Sequence, residues 1–229
     1  PDSDNLRRWN PVDEYDDLFF YAYFWSGMPD LNFDNRAVRD TIYDIGRFWL
    51  EKGVDGFRLD AAKHIYPDDR AEDNHAFWEE FRAEMEAVNP DVLLVGEVWA
   101  STEIVKPYLT GLPSLFNFDL GYAIMDAIRD GNGARLASRH AEILNEYLDV
   151  TSDFVDATFL TNHDQDRVMS VLQDENKARV AASILLTLPG APYIYYGEEI
   201  GMLGAKPDPN IREPMLWSPA ETDTLRSRW

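Results

Sequence analysis

Apolar positions along this chain recur with two periods. From Asn35 onward, Val38, Ile42, Ile45 and Trp49 fall four, three and four residues apart, the spacing of one helical face, with Asp34 or Asn35 placed to cap the start and Gly53 to end it. An apolar run of strand length, Val54 to Asp60, follows directly. The alternation then repeats. Phe77, Phe81, Met85 and Val88 mark a second helix closed by Asn89 and Pro90, and Val92 to Glu97 reads as the next strand. Ser114 to Asp119 reads as a third strand, and Tyr122 to Leu148 as helical with a break at Gly131, Asn132 and Gly133. Ala157 to Thr161 gives a fourth strand, Lys177 to Leu188 a helix ended by Pro189 and Gly190, and Pro192 to Tyr196 a fifth strand. Residues 1–34 show no sustained period and combine acids with many aromatic residues, which predicts an irregular segment or small subdomain.

Helices alternating with apolar strands predict an α/β fold with a parallel sheet covered on both faces. A closed (β/α)8 barrel has eight strands and the pattern shows five, so the expectation is the later portion of a TIM barrel. The alternative is an open doubly wound sheet. Its hallmark, a Gly-rich phosphate turn after an early strand, is not found in the sequence.

Composition narrows the function. The 229 residues are 45% hydrophobic, enough for a substantial core. Forty-two acids against 21 bases give a formal net charge of −21, which disfavours a nucleic-acid partner or an anionic membrane surface and suits a neutral substrate. With no cysteine there is no disulfide, no thiolate metal site and no cysteine nucleophile. No window approaches eighteen consecutive apolar residues, and the first residues, PDSDNLRRWN, do not have the form of a signal peptide. The chain starts without methionine inside an acidic, aromatic stretch, from which an upstream portion is expected.

Three acids each end a short apolar run: Asp60 after GVDGFRL, Glu97 after DVLLVG and Asp164 after ATFLTNH. Parallel barrels gather catalytic side chains at the carboxyl ends of their strands, so this pattern brings three distant carboxylates to one mouth. The intervals of 37 and 67 residues match about one and two βα units. Arg58 and Asp60 lie two apart on one strand and share a face, and a neighbouring guanidinium keeps a carboxylate ionised, as a nucleophile requires. A structural ion pair at a strand end is the plainer alternative. Glu97, among Gly96, Val98 and Trp99, has an apolar setting that raises a carboxyl pKa, as a general acid requires, unless it is simply an exposed strand-end glutamate. The His163 and Asp164 pair suits metal ligation, sugar hydroxyls or an ordinary polar pocket.

Several segments are recognisable. GVDGFRLDAAKHI, LLVGEVWA and FLTNHDQDR resemble the second, third and fourth conserved regions of the α-amylase family of glycoside hydrolases. GMPDLNFDN resembles the region closing the small domain inserted after barrel strand three, and PGAPYIYYGEEIGM the strand-eight region. The resemblance implies barrel strands four to eight, with residues 1–34 as the tail of the inserted domain and residues 35–229 as the C-terminal part of the barrel. It makes Asp60 the nucleophile, Glu97 the acid/base and Asp164 the third acid holding sugar hydroxyls. Arg58 would orient Asp60, His163 would donate to the sugar, and Lys63 and His64 would contact substrate; Trp99, by its aromatic face, is a further candidate for stacking on sugar. Asp30, through its carboxylate, and His64, through its backbone carbonyl, would ligate a structural calcium. The implied substrate is an α-glucan or malto-oligosaccharide. The sequence does not fix a location, and secreted or cell-surface is expected ahead of cytoplasmic.

Two details bear on specificity. Ala61 follows the nucleophile where the family's α-1,6-acting glucosidases usually carry valine, and MPDLN resembles the intermediate group containing endo-acting amylases. An α-1,4-acting hydrolase is therefore expected, with an α-glucosidase, cyclomaltodextrinase or transglycosylase of the same family as the alternative, and a non-catalytic binding module as the alternative from another class. The aromatic cluster from Tyr15 to Trp25 is expected mainly as the core of the inserted domain, with sugar stacking as its other reading. The family's first conserved region and its C-terminal β-sandwich are absent, so the chain is expected to be part of a longer enzyme and inactive alone.

Overall fold

The computed structural model of the chain describes residues 8–13, 15–215 and 217. Strands β1 (Trp9–Val12) and β2 (Tyr15–Tyr21) form an antiparallel hairpin, a regular element where the sequence pattern predicts none. Pro11 and the paired acids of YDDLFFY break the alternation that would have announced it. Much of the aromatic cluster is uncovered within this chain. Tyr15, Phe19, Phe24 and Trp25 are all more than half exposed, because a two-stranded ribbon has too little surface to bury them.

Helix α1 (Arg36–Glu51) is capped by Asn35, whose side chain accepts from the Ala37 N–H, and Gly53 follows it at φ 95°. Its buried seam is Tyr43, Gly46 and Leu50, while Ile45 and Trp49 of the expected stripe are exposed. Helix α2 (Ala71–Glu86) buries Phe77, Phe81 and Met85 as predicted. A Cβ on Gly46 would lie 2.4 Å from the Met85 sulfur, so this glycine leaves room for Met85 between the two helices. Tyr43 stacks on Phe77 across that seam at 6.0 Å.

Five parallel strands follow: β3 (Gly56–Leu59), β4 (Leu93–Gly96), β5 (Ser114–Leu115), β6 (Ala157–Phe159) and β7 (Ala191–Tyr193). β3, β4 and β5 pair in that order, β6 pairs with β7, and a parallel bridge from Phe116 to Ala157 joins the two sets. Neighbours in space are thus neighbours in sequence, as in a barrel. A doubly wound sheet would reverse the order at a switch point. The short α3 (Thr102–Val105) follows β4. After β5 come α4 (Phe118–Asp130) and α5 (Gly133–Leu148), split at the expected turn, where Gly131 is left-handed and Asn132 caps α5. After β6 come α6 (Val168–Leu172) and α7 (Glu175–Thr187), the latter capped by Asp174, and the short α8 (Asp208–Ile211) lies beyond β7.

The third strand is shorter than predicted. Asn117 accepts the Leu120 N–H to cap α4, so the run from Phe118 turns helical. The Asn117 amide also donates to both oxygens of Asp156, at 3.1 and 2.9 Å. Asp156 is buried, and burial pushes its carboxyl from 3.8 up to about 6. The folded chain therefore holds this proton more tightly than the unfolded chain. The cost is absent below pH 3.8, grows as pH rises to about 6 and is full above it. Asp156→Asn is expected to stabilise the protein at pH 7 by up to about 3 kcal/mol and to leave it unchanged near pH 3. Thermal unfolding at the two pH values measures this, and equal shifts at both would refute it.

Candidate active site

Register sets the centre of the site. Leu59 pairs with Gly96 across β3 and β4, so the next residues, Asp60 and Glu97, leave neighbouring strands at one level. The Glu97 N–H donates to the Leu59 carbonyl at 2.9 Å, and the Ala62 N–H returns to the Glu97 carbonyl at 2.8 Å. Gly96 gives the buried Leu112 and Leu115 room, since a Cβ would come within 2.5 Å of the Leu112 Cδ1 and 2.8 Å of the Leu115 Cδ2. Ala61 sits at φ 45°, left-handed and uncommon for a residue with a side chain. That turn aims its N–H at Glu97 Oε2, 3.1 Å away.

One guanidinium joins the two acids. Arg58 Nη1 donates to Asp60, and Nη2 lies 3.0 Å from Glu97 Oε2. Asp60 is close enough that its charge acts on Glu97. Glu97 is only 8% exposed, and burial, opposed by the Ala61 N–H and Arg58 and reinforced by Asp60, raises its pKa above the ordinary glutamate value.

The third acid stands on the loop after β6. Asp164 turns back on Asn162, whose Oδ1 accepts the Asp164 N–H at 2.9 Å. Arg212 holds it from α8's end: Nη2 donates to Asp164 Oδ1 at 2.6 Å, and Nε to the His163 carbonyl at 2.9 Å. His163 Nε2 lies 3.3 Å from Asp164 Oδ2. Arg58 and His163 line one hollow of about 150 Å3 with Thr161 and Tyr193, which brings the β3 and β6 ends together. At the rim, Trp99 stacks on Phe118 at 4.9 Å and donates Nε1 to the Tyr122 hydroxyl at 3.1 Å. Gln165 Nε2 donates to the same hydroxyl at 3.2 Å. The loops after β4 and β6 thus meet through one tyrosine.

Lys63 and His64 lie on the turn that follows Asp60. The Lys63 ammonium is held by Asp68 at 2.7 Å. His64 packs on Tyr23 with ring centroids 3.7 Å apart, and burial drives its pKa down to about 4, so the ring is neutral at pH 7. Both His64 and Asp30 line a different cavity, of about 610 Å3, between the hairpin and this turn. The Asp30 carboxylate there accepts the Tyr23 N–H at 2.8 Å. Among the described residues no group of three or more acidic or imidazole side chains is placed to hold a metal ion. Calcium takes six to eight oxygens, so the Asp30 carboxylate and the His64 carbonyl do not by themselves make a site for it.

The α-amylase family model, which describes the catalytic domain of α-amylase, matches residues 3–226. The chain belongs to the α-amylase family. Alpha-amylase 3 of Dictyoglomus thermophilum is 49% identical over 215 residues, covering 92% of this chain and 41% of that protein. A 4-alpha-glucanotransferase of Thermotoga neapolitana is 35% identical over 94% of this chain and 47% of its own length. The crystal structure of the α-amylase from H. orenii superposes with a TM-score of 0.85 at 47% identity, over 92% of this chain and 43% of that one. The fold is that of the α-amylase TIM barrel, of which the chain carries a part, and it spans under half the length of these relatives.

Within this α-amylase-family chain, sequence reasoning brings Arg58, Asp60 and Glu97 to the ends of β3 and β4, and Asp164 with His163 to the end of β6, with β5 between them. It does not single out Arg212, Tyr122 or Gln165. Gln165 lies inside the recognised FLTNHDQDR segment but has no role assigned by it, whereas Tyr122 is an exposed helix position and Arg212 a loop residue with no local signal.

Proposed function

We propose that the protein carrying this chain is a retaining glycoside hydrolase of α-1,4-glucans such as starch and maltodextrins. The observation behind this is the pair on adjacent strand ends, a buried Glu97 whose pKa is raised by burial and by the neighbouring Asp60, with Arg58 shared between the two acids. Retaining pairs sit about 5–5.5 Å apart, and inverting pairs keep about 6.5–9.5 Å for a water.

In this reading Glu97 protonates the glycosidic oxygen while Asp60 attacks the anomeric carbon, giving a covalent glycosyl-enzyme. Glu97 then takes a proton from water, which displaces Asp60. Arg58 donates to Asp60 and aims it. Asp164, gripped by Arg212, accepts hydroxyls of the distorted sugar and His163 donates to it. Trp99 offers its exposed face at the rim, and Lys63 and His64 border the leaving side. Calcium ligation by Asp30 and His64 would need further oxygen donors, and no step depends on it.

The test is the product pattern on soluble starch, followed by NMR. α-Anomers of mixed short lengths, appearing before mutarotation, are expected; initial β-anomers would sink the retaining assignment. Similarity to a protein named 4-alpha-glucanotransferase supports a second reading, transfer to sugar in place of water. Transfer would turn maltotriose into longer and shorter chains without a rise in reducing ends.

A further inference from the structure

The loop from Leu160 to Arg167 joins β6 to α6 and carries Asp164. Beneath it runs the segment that follows β7. Besides Arg212, two buried side chains tie the loop to that segment. At its start the Thr161 hydroxyl donates to the Glu198 carboxylate. At its end Arg167, fully buried, donates Nη1 to the Tyr196 carbonyl at 2.6 Å, while its backbone N–H donates to the Gly204 carbonyl at 2.9 Å. The guanidinium lies over the rings of Tyr195 and Tyr196, 4.4 and 4.7 Å from their centroids. Its slot is narrow: a Cβ on Gly197 would come within 3.1 Å of Nη1, and one on Gly204 within 3.2 Å of the Arg167 Cδ.

Stability alone is a poor reason for this arrangement. Arg167 Nε and Nη2 are buried without a hydrogen-bond partner, and among the described residues no carboxylate lies within ion-pair distance of the guanidinium. Glu198 is close enough to feel that charge, yet burial still pushes its carboxyl up to about 7. Burying a guanidinium in this way costs free energy, and an apolar side chain of similar volume is often equally or more stable in such a place. What the arrangement does provide is a fixed geometry. Arg167 lies three positions after Asp164 and Thr161 three positions before it, so the acid stands midway between two anchored ends.

We propose that Arg167, with Thr161 and Glu198 at the opposite end of the loop, is a positioning residue for Asp164, locking the turn that presents this acid to the sugar. The proposal rests on the reading that Asp164 acts on substrate, and its test separates the two. In the full-length protein, Arg167→Met, Arg167→Lys, Asp164→Asn and the Arg167→Met/Asp164→Asn double variant are assayed on maltoheptaose. Arg167→Met should lower kcat by about 10–100-fold with KM changed less than about threefold, since a misplacement near 1 Å costs about that much. Arg167→Lys should recover part of the rate. The double variant should be no slower than Asp164→Asn alone, because Arg167 acts through that carboxylate. Losses that multiply in the double variant, or an Arg167→Met change confined to thermal stability, overturn the proposal. Wild-type turnover in Asp164→Asn would instead overturn the functional reading. If Arg167→Met does not fold, Thr161→Val takes its place in the same cycle: a rate loss that vanishes in the Asp164→Asn background supports the proposal, and one that multiplies there overturns it.

Discussion

Asp60→Asn in the full-length protein is expected to lower kcat on soluble starch by about 10³–10⁶-fold with the fold intact. An amide cannot attack the anomeric carbon as a carboxylate does, so the covalent route closes. The same substitution removes the anion facing Arg58 Nη1 and leaves Glu97 Oε2 as that guanidinium's acid partner, 3.0 Å from Nη2. Asp60 contributes little to burial, its side chain being 72% exposed, so no large stability loss should accompany the kinetic one. Initial rates of reducing-sugar release, with circular dichroism and thermal unfolding beside them, measure both. A variant with wild-type turnover would remove Asp60 from the mechanism.

The parts of this site that were legible in the sequence are those that a local pattern fixes. Asp60 and Glu97 follow apolar runs, and parallel register between β3 and β4 carries two such ends to the same level without further information. Glu97's raised pKa was legible for the same reason, since strand-end burial among Leu, Val and Gly follows from the run that precedes it. Arg212 was not, because it meets Asp164 across 48 residues through a loop whose path depends on tertiary packing. The contact at Gly46 was not legible either. Gly46 acts there through the side chain it lacks, admitting Met85, and a hydrophobic stripe has no mark for an absence. Asn117 shows competition between two local rules: the apolar residues around it suit a strand, but its side chain caps α4 and the cap prevails. The hairpin β1–β2 escaped because its pairing, Trp9 with Tyr21 among others, joins two segments without alternation. Identity of the site thus came from the motifs, while the supports that hold it came only with the fold.

Glu97→Gln should cost about 10²–10⁴-fold in kcat/KM on starch, and its pH profile carries more information than its size. As general acid, Glu97 has to hold its proton in the free enzyme, so activity falls as pH rises through its folded value. Burial lifts that value above the ordinary 4.5, and the neighbouring Asp60 anion lifts it further, while the Ala61 N–H and Arg58 oppose both. The alkaline limb of kcat/KM in the wild-type protein should therefore lie above pH 4.5. In Glu97→Gln that limb should disappear, since an amide does not titrate. The loss should also depend on the leaving group. A maltosyl fluoride needs little protonation on departure and should react with the variant far faster, relative to wild type, than starch does. Stalling of the glycosyl-enzyme is then expected, because the second step has lost its base, and added azide should restore turnover by attacking without one. An unchanged alkaline limb, or equal losses on fluoride and starch, would take the proton-transfer role away from Glu97.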